Sequence, residues 1–125
     1  MSRPSLSFPK MARLLKHADF ERVYERGRRH FAAHLTAFYL RREEGGGARV
    51  GFTVSRALGG AVTRNRIRRR LREAVRLNLA ALESGYDVVI NPKRSAERAE
   101  FSRLREEVAG AFAAIGRQSQ PGSGR

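Results

Sequence analysis

Apolar positions along the chain change period from one segment to the next. Residues 17–26, HADFERVYER, place Ala18, Phe20, Val23 and Tyr24 at helical spacing, and Gly27 follows where a C-cap sits. Asp19 and Glu21 near the start and Arg26 at the end complement the helix dipole, so the pattern predicts a first helix. Residues 34–42, HLTAFYLRR, are rich in strand formers, and Gly45 to Gly47 read as a flexible turn. In residues 49–55, Val50, Phe52 and Val54 alternate with Gly51, Thr53 and Ser55. Together these two stretches predict an antiparallel hairpin with one buried face.

Gly59 and Gly60 punctuate the chain before a long helical pattern that runs to about Leu82, with Gly60 as a weak N-cap. Ile67, Leu71, Ala74, Val75, Asn78 and Leu82 share one side of that helix. ESGYDVVINP then gives a turn and a short strand over 87–90, stopped by Pro92. The unbroken run Val88 to Ile90 fits a central strand covered on both faces. Phe101, Leu104, Val108, Phe112 and Ile115 fall on one face of a last helix ending at Gly116. Residues 1–12 read as an extended arm and 116–125 as a disordered tail. The expected order is α-β-β-α-β-α, an α+β two-layer α/β sandwich forming one domain over 1–125 with its ordered core at 14–115.

Composition adds the partner class. Of 125 residues, 41% are hydrophobic, enough for one modest core, and there is no cysteine, which removes disulfides and thiolate metal sites. No stretch has the length of a signal-peptide core or a membrane span, so a soluble cytoplasmic protein with no membrane partner is expected. The net charge of +14 calls for a polyanion, nucleic acid before an anionic membrane surface.

That charge is concentrated on the long helix. AVTRNRIRRRLREAVR carries seven arginines between Arg64 and Arg76, and Glu73 is the only acid within the stretch. On a helical projection Arg64, Arg68, Arg72 and Arg76 form one row, with Asn65 and Arg69 beside it and Arg66 and Arg70 on the opposite flank. Like charges at i, i+4 cost a few tenths of a kcal/mol per pair, a cost that bound phosphates would offset. Asn65 is uncharged; it suits a base edge, a 2′-hydroxyl, or a local backbone cap.

The stretch GFTVSRALGGAVTRNRIRRRLREAVR resembles the bacterial ribonuclease P protein family. That family's signature is an R-N-R-x-[KR]-R box opening a long helix, preceded by V-S-x-x-x-G-x-A-V. Here the matches are Val54 and Ser55, Gly59, Ala61 and Val62, then Arg64, Asn65, Arg66, Arg68 and Arg69. Asp19 and Phe20 on the first helix and the YDVVI strand agree as well, so the likeness covers about residues 14–115. It implies an α-β-β-β-α-β-α fold or a close variant, like the second domain of ribosomal protein S5, with a left-handed β-α-β crossover in a mixed sheet.

The resemblance also implies the role of small protein subunit to a large catalytic RNA, one to one, in an endoribonuclease that removes the 5′ leader of precursor tRNA. The hydrolysis and its Mg2+ would belong to the RNA. Arg64, Asn65, Arg66, Arg68, Arg69 and Arg72 would face the catalytic RNA. Phe20, Tyr24 and Phe38, with Arg56 at the edge, would line a cleft for the single-stranded leader. Stacking on aromatic side chains beside positive charge suits a single strand, whereas aromatics at i, i+4 such as Phe20 and Tyr24 also suit plain core packing. Two departures from the family pattern are Ala57, where a basic residue is common, and Gly60, where asparagine is common.

Two other readings compete with this one. A protein-only nuclease would need acid–base or metal groups, and His17, His30 and His34 match no such spacing. A ribosomal protein or general RNA chaperone would be equally basic; the signature box and the cleft aromatics separate it from the family reading.

Overall fold

The computed structural model describes residues 12–14 and 16–119, without the side chain of Ser119. The elements are α1 (His17–Arg26), β1 (Arg28–Phe31), β2 (Leu35–Arg41), β3 (Arg49–Phe52), α2 (Ala61–Asn78), β4 (Tyr86–Pro92) and α3 (Phe101–Ser119). The mixed sheet has the order β1-β2-β4-β3. β1 with β2 and β2 with β4 are antiparallel, while β3 and β4 are parallel neighbours joined through α2. This is the β-α-β unit that the resemblance implies.

Three expectations are corrected, the first being the element order, which is α-β-β-β-α-β-α with one strand more than the pattern predicts. The hairpin partner of β2 is β1, not β3. RRHF in β1 has three exposed residues out of four and no apolar alternation, so nothing in its pattern marked it. The reason β2 and β3 do not pair is β4 itself. Tyr86 to Ile90 are all buried, and a strand apolar on both sides needs cover on both sides and a neighbour at each edge. It therefore inserts between β2 and β3. The third correction concerns the C-terminal boundary: α3 continues through Gly116 to Ser119, so the last helix is longer than its apolar face indicates. Of the expected arm, residues 1–11 lie outside the described residues, as do 120–125 of the expected tail.

The main core is a two-layer packing of α2 and α3 on one face of the sheet. Leu35, Ala37, Tyr39, Val88 and Ile90 meet Ile67, Leu71, Val75, Leu104, Val108 and Phe112 there. Each large aliphatic or aromatic side chain so buried contributes roughly 1.5–3 kcal/mol. Alternate strand residues turn the other way: Phe38, Leu40 and Val89 pack with Leu14, Phe20 and Val23 under α1. The outer edge of β3 is covered by the chain ahead of α1, where Leu14 N donates to Val50 O at 3.0 Å.

A buried ionic hub holds one end of the sheet. Asp87 in β4 is 1% exposed. Arg42 Nη1 donates to its Oδ1 at 2.6 Å, and Arg49 grips both oxygens, Nε to Oδ1 at 2.9 Å and Nη2 to Oδ2 at 2.8 Å. The bond to Asp87 raises Arg49 above its ordinary pKa. Arg42 also donates through Nη2 to the carbonyls of Gly45 (2.7 Å) and Gly47 (2.5 Å), so the glycine turn is tied down rather than free.

Candidate nucleic-acid interface

The apolar stripe of α2 sits as its spacing requires. Ile67, Leu71, Ala74, Val75 and Leu82 are buried. Asn78, on the same side, is half-buried and donates through Nδ2 to Ala74 O at 2.9 Å and Arg105 O at 3.1 Å, linking α2 to α3. With that stripe fixed, the arginines divide by flank, and the flanks differ in chemistry.

On the flank facing α3 the charges are satisfied within the chain. Arg66 Nη1 donates to Glu97 Oε2 at 3.0 Å. Arg70 donates to the carbonyls of Ala96 at 2.7 Å and Glu97 at 2.8 Å, and also to that of Ala99. These carbonyls belong to the short 3₁₀ turn Arg94–Glu97 and the residues after it, so Arg70 fastens that turn to α2. Near the helix end Arg76 and Glu73 form a two-bonded pair, which holds the Glu73 carboxyl below its ordinary range and raises Arg76. Self-repulsion on α2 is therefore relieved by Glu97 and by backbone carbonyls, besides Glu73. Relief by Glu97 and carbonyls was invisible in the sequence because those partners lie about thirty residues away.

The other flank is open. Arg69 and Arg72 are exposed and make no hydrogen bond or ion pair among the described residues. Arg68 Nη1 donates to Asn65 Oδ1 at 2.9 Å. Asn65 thus contacts a neighbouring side chain and is not a helix cap; Gly60 at the N-cap supplies no side-chain bond either. Arg64 Nε instead reaches back to Gly59 O at 3.1 Å. Gly59 has φ 136°, a conformation that favours glycine.

The aromatic positions converge on the opposite sheet face, beneath α1. Tyr24 and Phe38 pack edge to face with centroids 4.9 Å apart. Tyr24 Oη donates to Asn91 Oδ1 at 2.8 Å, which leaves the Thr53 hydroxyl to donate to Tyr24 at 2.6 Å. The guanidinium carbon of Arg29 lies 5.6 Å from the Phe38 centroid, a cation–π distance. Phe20 packs over Gly51, where any Cβ would collide with the ring. Phe20 and Phe38 are partly buried against Val23 and Val89 and partly open, while Tyr24 is exposed. Arg56 stands on the 3₁₀ turn Arg56–Leu58, exposed and without a hydrogen bond or ion pair among the described residues.

One cavity joins the two surfaces. It measures about 220 Å³ and is lined by Arg13, Leu14, Phe20, Val50, Gly51, Phe52, Arg68 and Arg72. Aromatic ring and guanidinium groups therefore border the same opening. Arg13 and Arg29 were not singled out by sequence reasoning; only register on the sheet edge brings them to the site.

Other chemistries have little to build on. His17 pairs with Glu21 at 3.2 Å, and His34 Nδ1 bonds Ser95 Oγ at 2.7 Å. Among the described residues, no three His, Asp or Glu side chains gather as metal ligands would. None of the described helices is long and apolar enough to cross a membrane.

Comparison with known proteins establishes the family and the fold. The family model described as Ribonuclease P matches residues 8–116. The ribonuclease P protein component of a Geobacter species is 41% identical over 108 residues, covering 86% of this chain and 91% of its own. That of Chloroflexus aggregans is 46% identical over 100 residues, covering 77% and 71%. Among solved structures, the RNase P protein of Thermotoga maritima superposes with a TM-score of 0.73 at 26% identity, over 82% of this chain and 96% of that one. The RNase P protein of Staphylococcus aureus gives 0.71 at 25%, over 84% and 94%. A matched length spanning nearly the whole described fold, with the arginine box and Phe20, Tyr24 and Phe38 inside it, places this chain in the ribonuclease P protein family.

Proposed function

We propose that the chain is the protein subunit of a ribonuclease P holoenzyme, bound one to one to a catalytic RNA and acting in the cytoplasm on precursor tRNA. In this reading Arg64, Arg68, Arg69 and Arg72 lie against phosphates of the catalytic RNA, Asn65 orients Arg68 among them, and Arg66, bonded to Glu97, stands on the far flank. The cleft of Phe20, Tyr24 and Phe38, edged by Arg56, holds the 5′ leader. Endonucleolytic hydrolysis belongs to the RNA, whose Mg2+ would activate water there. The protein's part is to bind, to orient and to screen phosphate repulsion between RNA and substrate, which raises substrate affinity and lowers the magnesium requirement.

The observation that carries the reading is the shared cavity, where Phe20 meets Arg68 and Arg72. A single strand leaving an RNA docked on α2 would enter a groove with rings on one wall and charge on the other. The test adds purified protein to a cognate catalytic RNA and labelled precursor tRNA at low Mg2+. A gain in 5′ cleavage supports the reading. No gain, or an equal gain with an unrelated ribozyme, turns it toward a ribosomal protein or general RNA chaperone.

A further inference from the structure

The proposed leader path uses three rings and leaves a fourth unexplained. Phe31, the last residue of β1, is 67% exposed, more than any other aromatic side chain among the described residues. It belongs to neither core cluster, and with most of its surface in water it adds little burial to the fold.

Register decides where the ring points. Phe31 opposes Thr36 and Arg29 opposes Phe38. Residues directly opposite across an antiparallel ladder project to the same face. Arg29 and Phe31 therefore stand with Phe38 on the α1 side, and His30 between them turns to the α3 side, near Gly110. The rings then follow the strand order across one face: Phe20 over β3, Phe38 on β2, Phe31 on β1. Diagonal neighbours on adjacent strands lie about 7–8 Å apart. Bases stacked along one strand sit about 3.4 Å apart, and an extended link reaches farther, so one nucleotide step spans the gap.

A second copy of the chain is a poor occupant. β1 is a four-residue edge strand carrying Arg28 and Arg29, and short charged edges resist strand addition. The net charge of +14 opposes self-association as well. That same charge favours RNA.

We infer that Phe31 is a further stacking platform for single-stranded RNA, taking the base next beyond the one on Phe38, on the side away from α2. Arg29 lies between the two bases, over the Phe38 ring. The inference rests on the leader lying in the cleft, and it extends the leader contact to the outer edge of the sheet.

The test uses the reconstituted holoenzyme and precursor tRNAs with leaders of stepwise length, each carrying a fluorescent base analogue at one leader position. Phe31→Ala is expected to weaken binding about fivefold, the low end for one stacked base, only with leaders long enough to reach β1. It should also restore fluorescence at a single distal position, and Phe31→Tyr should keep both the affinity and the quench. If Phe38→Ala weakens leader binding while Phe31→Ala changes nothing at any length, the inference fails and the cleft reading stands. If neither variant affects leader binding, the cleft reading fails. A loss from Phe31→Ala that is independent of leader length, or a change in sedimentation alone, also overturns the platform.

Discussion

Asn65 Oδ1 accepts the hydrogen bond of Arg68 Nη1 at 2.9 Å, so the one uncharged polar residue of the basic box fixes the direction of its charged neighbour. Arg68 in turn lines the cavity beside Phe20. Asn65 therefore acts on RNA through Arg68 in the proposed complex. Asn65→Ala should weaken binding to the catalytic RNA by about 1 kcal/mol, the worth of one hydrogen bond, with folding stability nearly unchanged. The double variant with Arg68→Ala should lose little more than Arg68→Ala alone, because the two act as a unit. Strictly additive losses in a titration would show that Asn65 makes its own RNA contact.

Arg69 and Arg70 are adjacent in sequence and opposite in surroundings. Arg69 is exposed with no ion pair among the described residues, while Arg70 fastens the Arg94–Glu97 turn through three carbonyls. Arg69→Ala should leave the urea midpoint unchanged. It should lower the salt slope of RNA binding by roughly 0.7 to 0.9, the share of one phosphate. Arg70→Ala should leave that slope alone and destabilise the fold by about 1–3 kcal/mol, since three part-buried carbonyls lose their donor. Equal salt slopes in both variants would contradict this division of labour.

These two arginines also mark how far the sequence could be read. Helical periodicity separated the flanks of α2 and its apolar stripe, because spacing along one helix is a local property. The continuous run at Val88 to Ile90 identified the central strand for the same reason. Neither could say what lies beside it. That β4 separates β2 from β3, that RRHF forms an edge strand, and that Arg70 finds carbonyls beyond Pro92 are all contacts between distant segments. The cleft residues sit between these cases. Tyr24 and Phe38 meet edge to face, and Phe20 and Phe38 pack on one small cluster under α1, whereas Arg29 over Phe38 follows from a register no pattern displays.

Asp87 offers a test of the hub that holds β2, β3 and β4. It is nearly inaccessible and accepts from two guanidinium groups, Arg42 and Arg49. Asp87→Asn keeps the shape and removes the buried charge the two cations share, leaving Arg49 only its longer pairing with Asp19 at 3.6 Å and Arg42 its carbonyls and exposed Glu44 at 3.8 Å. Breaking a buried pair in this way costs about 3–5 kcal/mol, a large share of a small domain's stability. Circular dichroism during urea unfolding measures the loss. A loss below about 1 kcal/mol would mean that water reaches the hub and replaces the carboxylate.

The last expectation links the packing under α1 to the choice of substrate. Gly51 is buried on β3, and a Cβ there would collide with the Phe20 ring and crowd Leu14, whose carbonyl oxygen stands only 3.0 Å away. The ring must yield, because the Leu14 backbone is held to Val50 by its own hydrogen bond. Gly51→Ala should therefore cost about 1–3 kcal/mol of stability through overpacking and swing Phe20 out of line with Phe38. Phe20→Ala with Phe38→Ala removes the same platforms outright. Both variants should bind leader-bearing tRNA more weakly, by about 1–3 kcal/mol per lost stacked base, and bind mature tRNA as before. Affinities for the two tRNAs, measured side by side at one salt concentration, decide the matter. Matched losses on both would assign these rings to the core alone, whereas a loss confined to the leader-bearing tRNA is what a leader cleft requires.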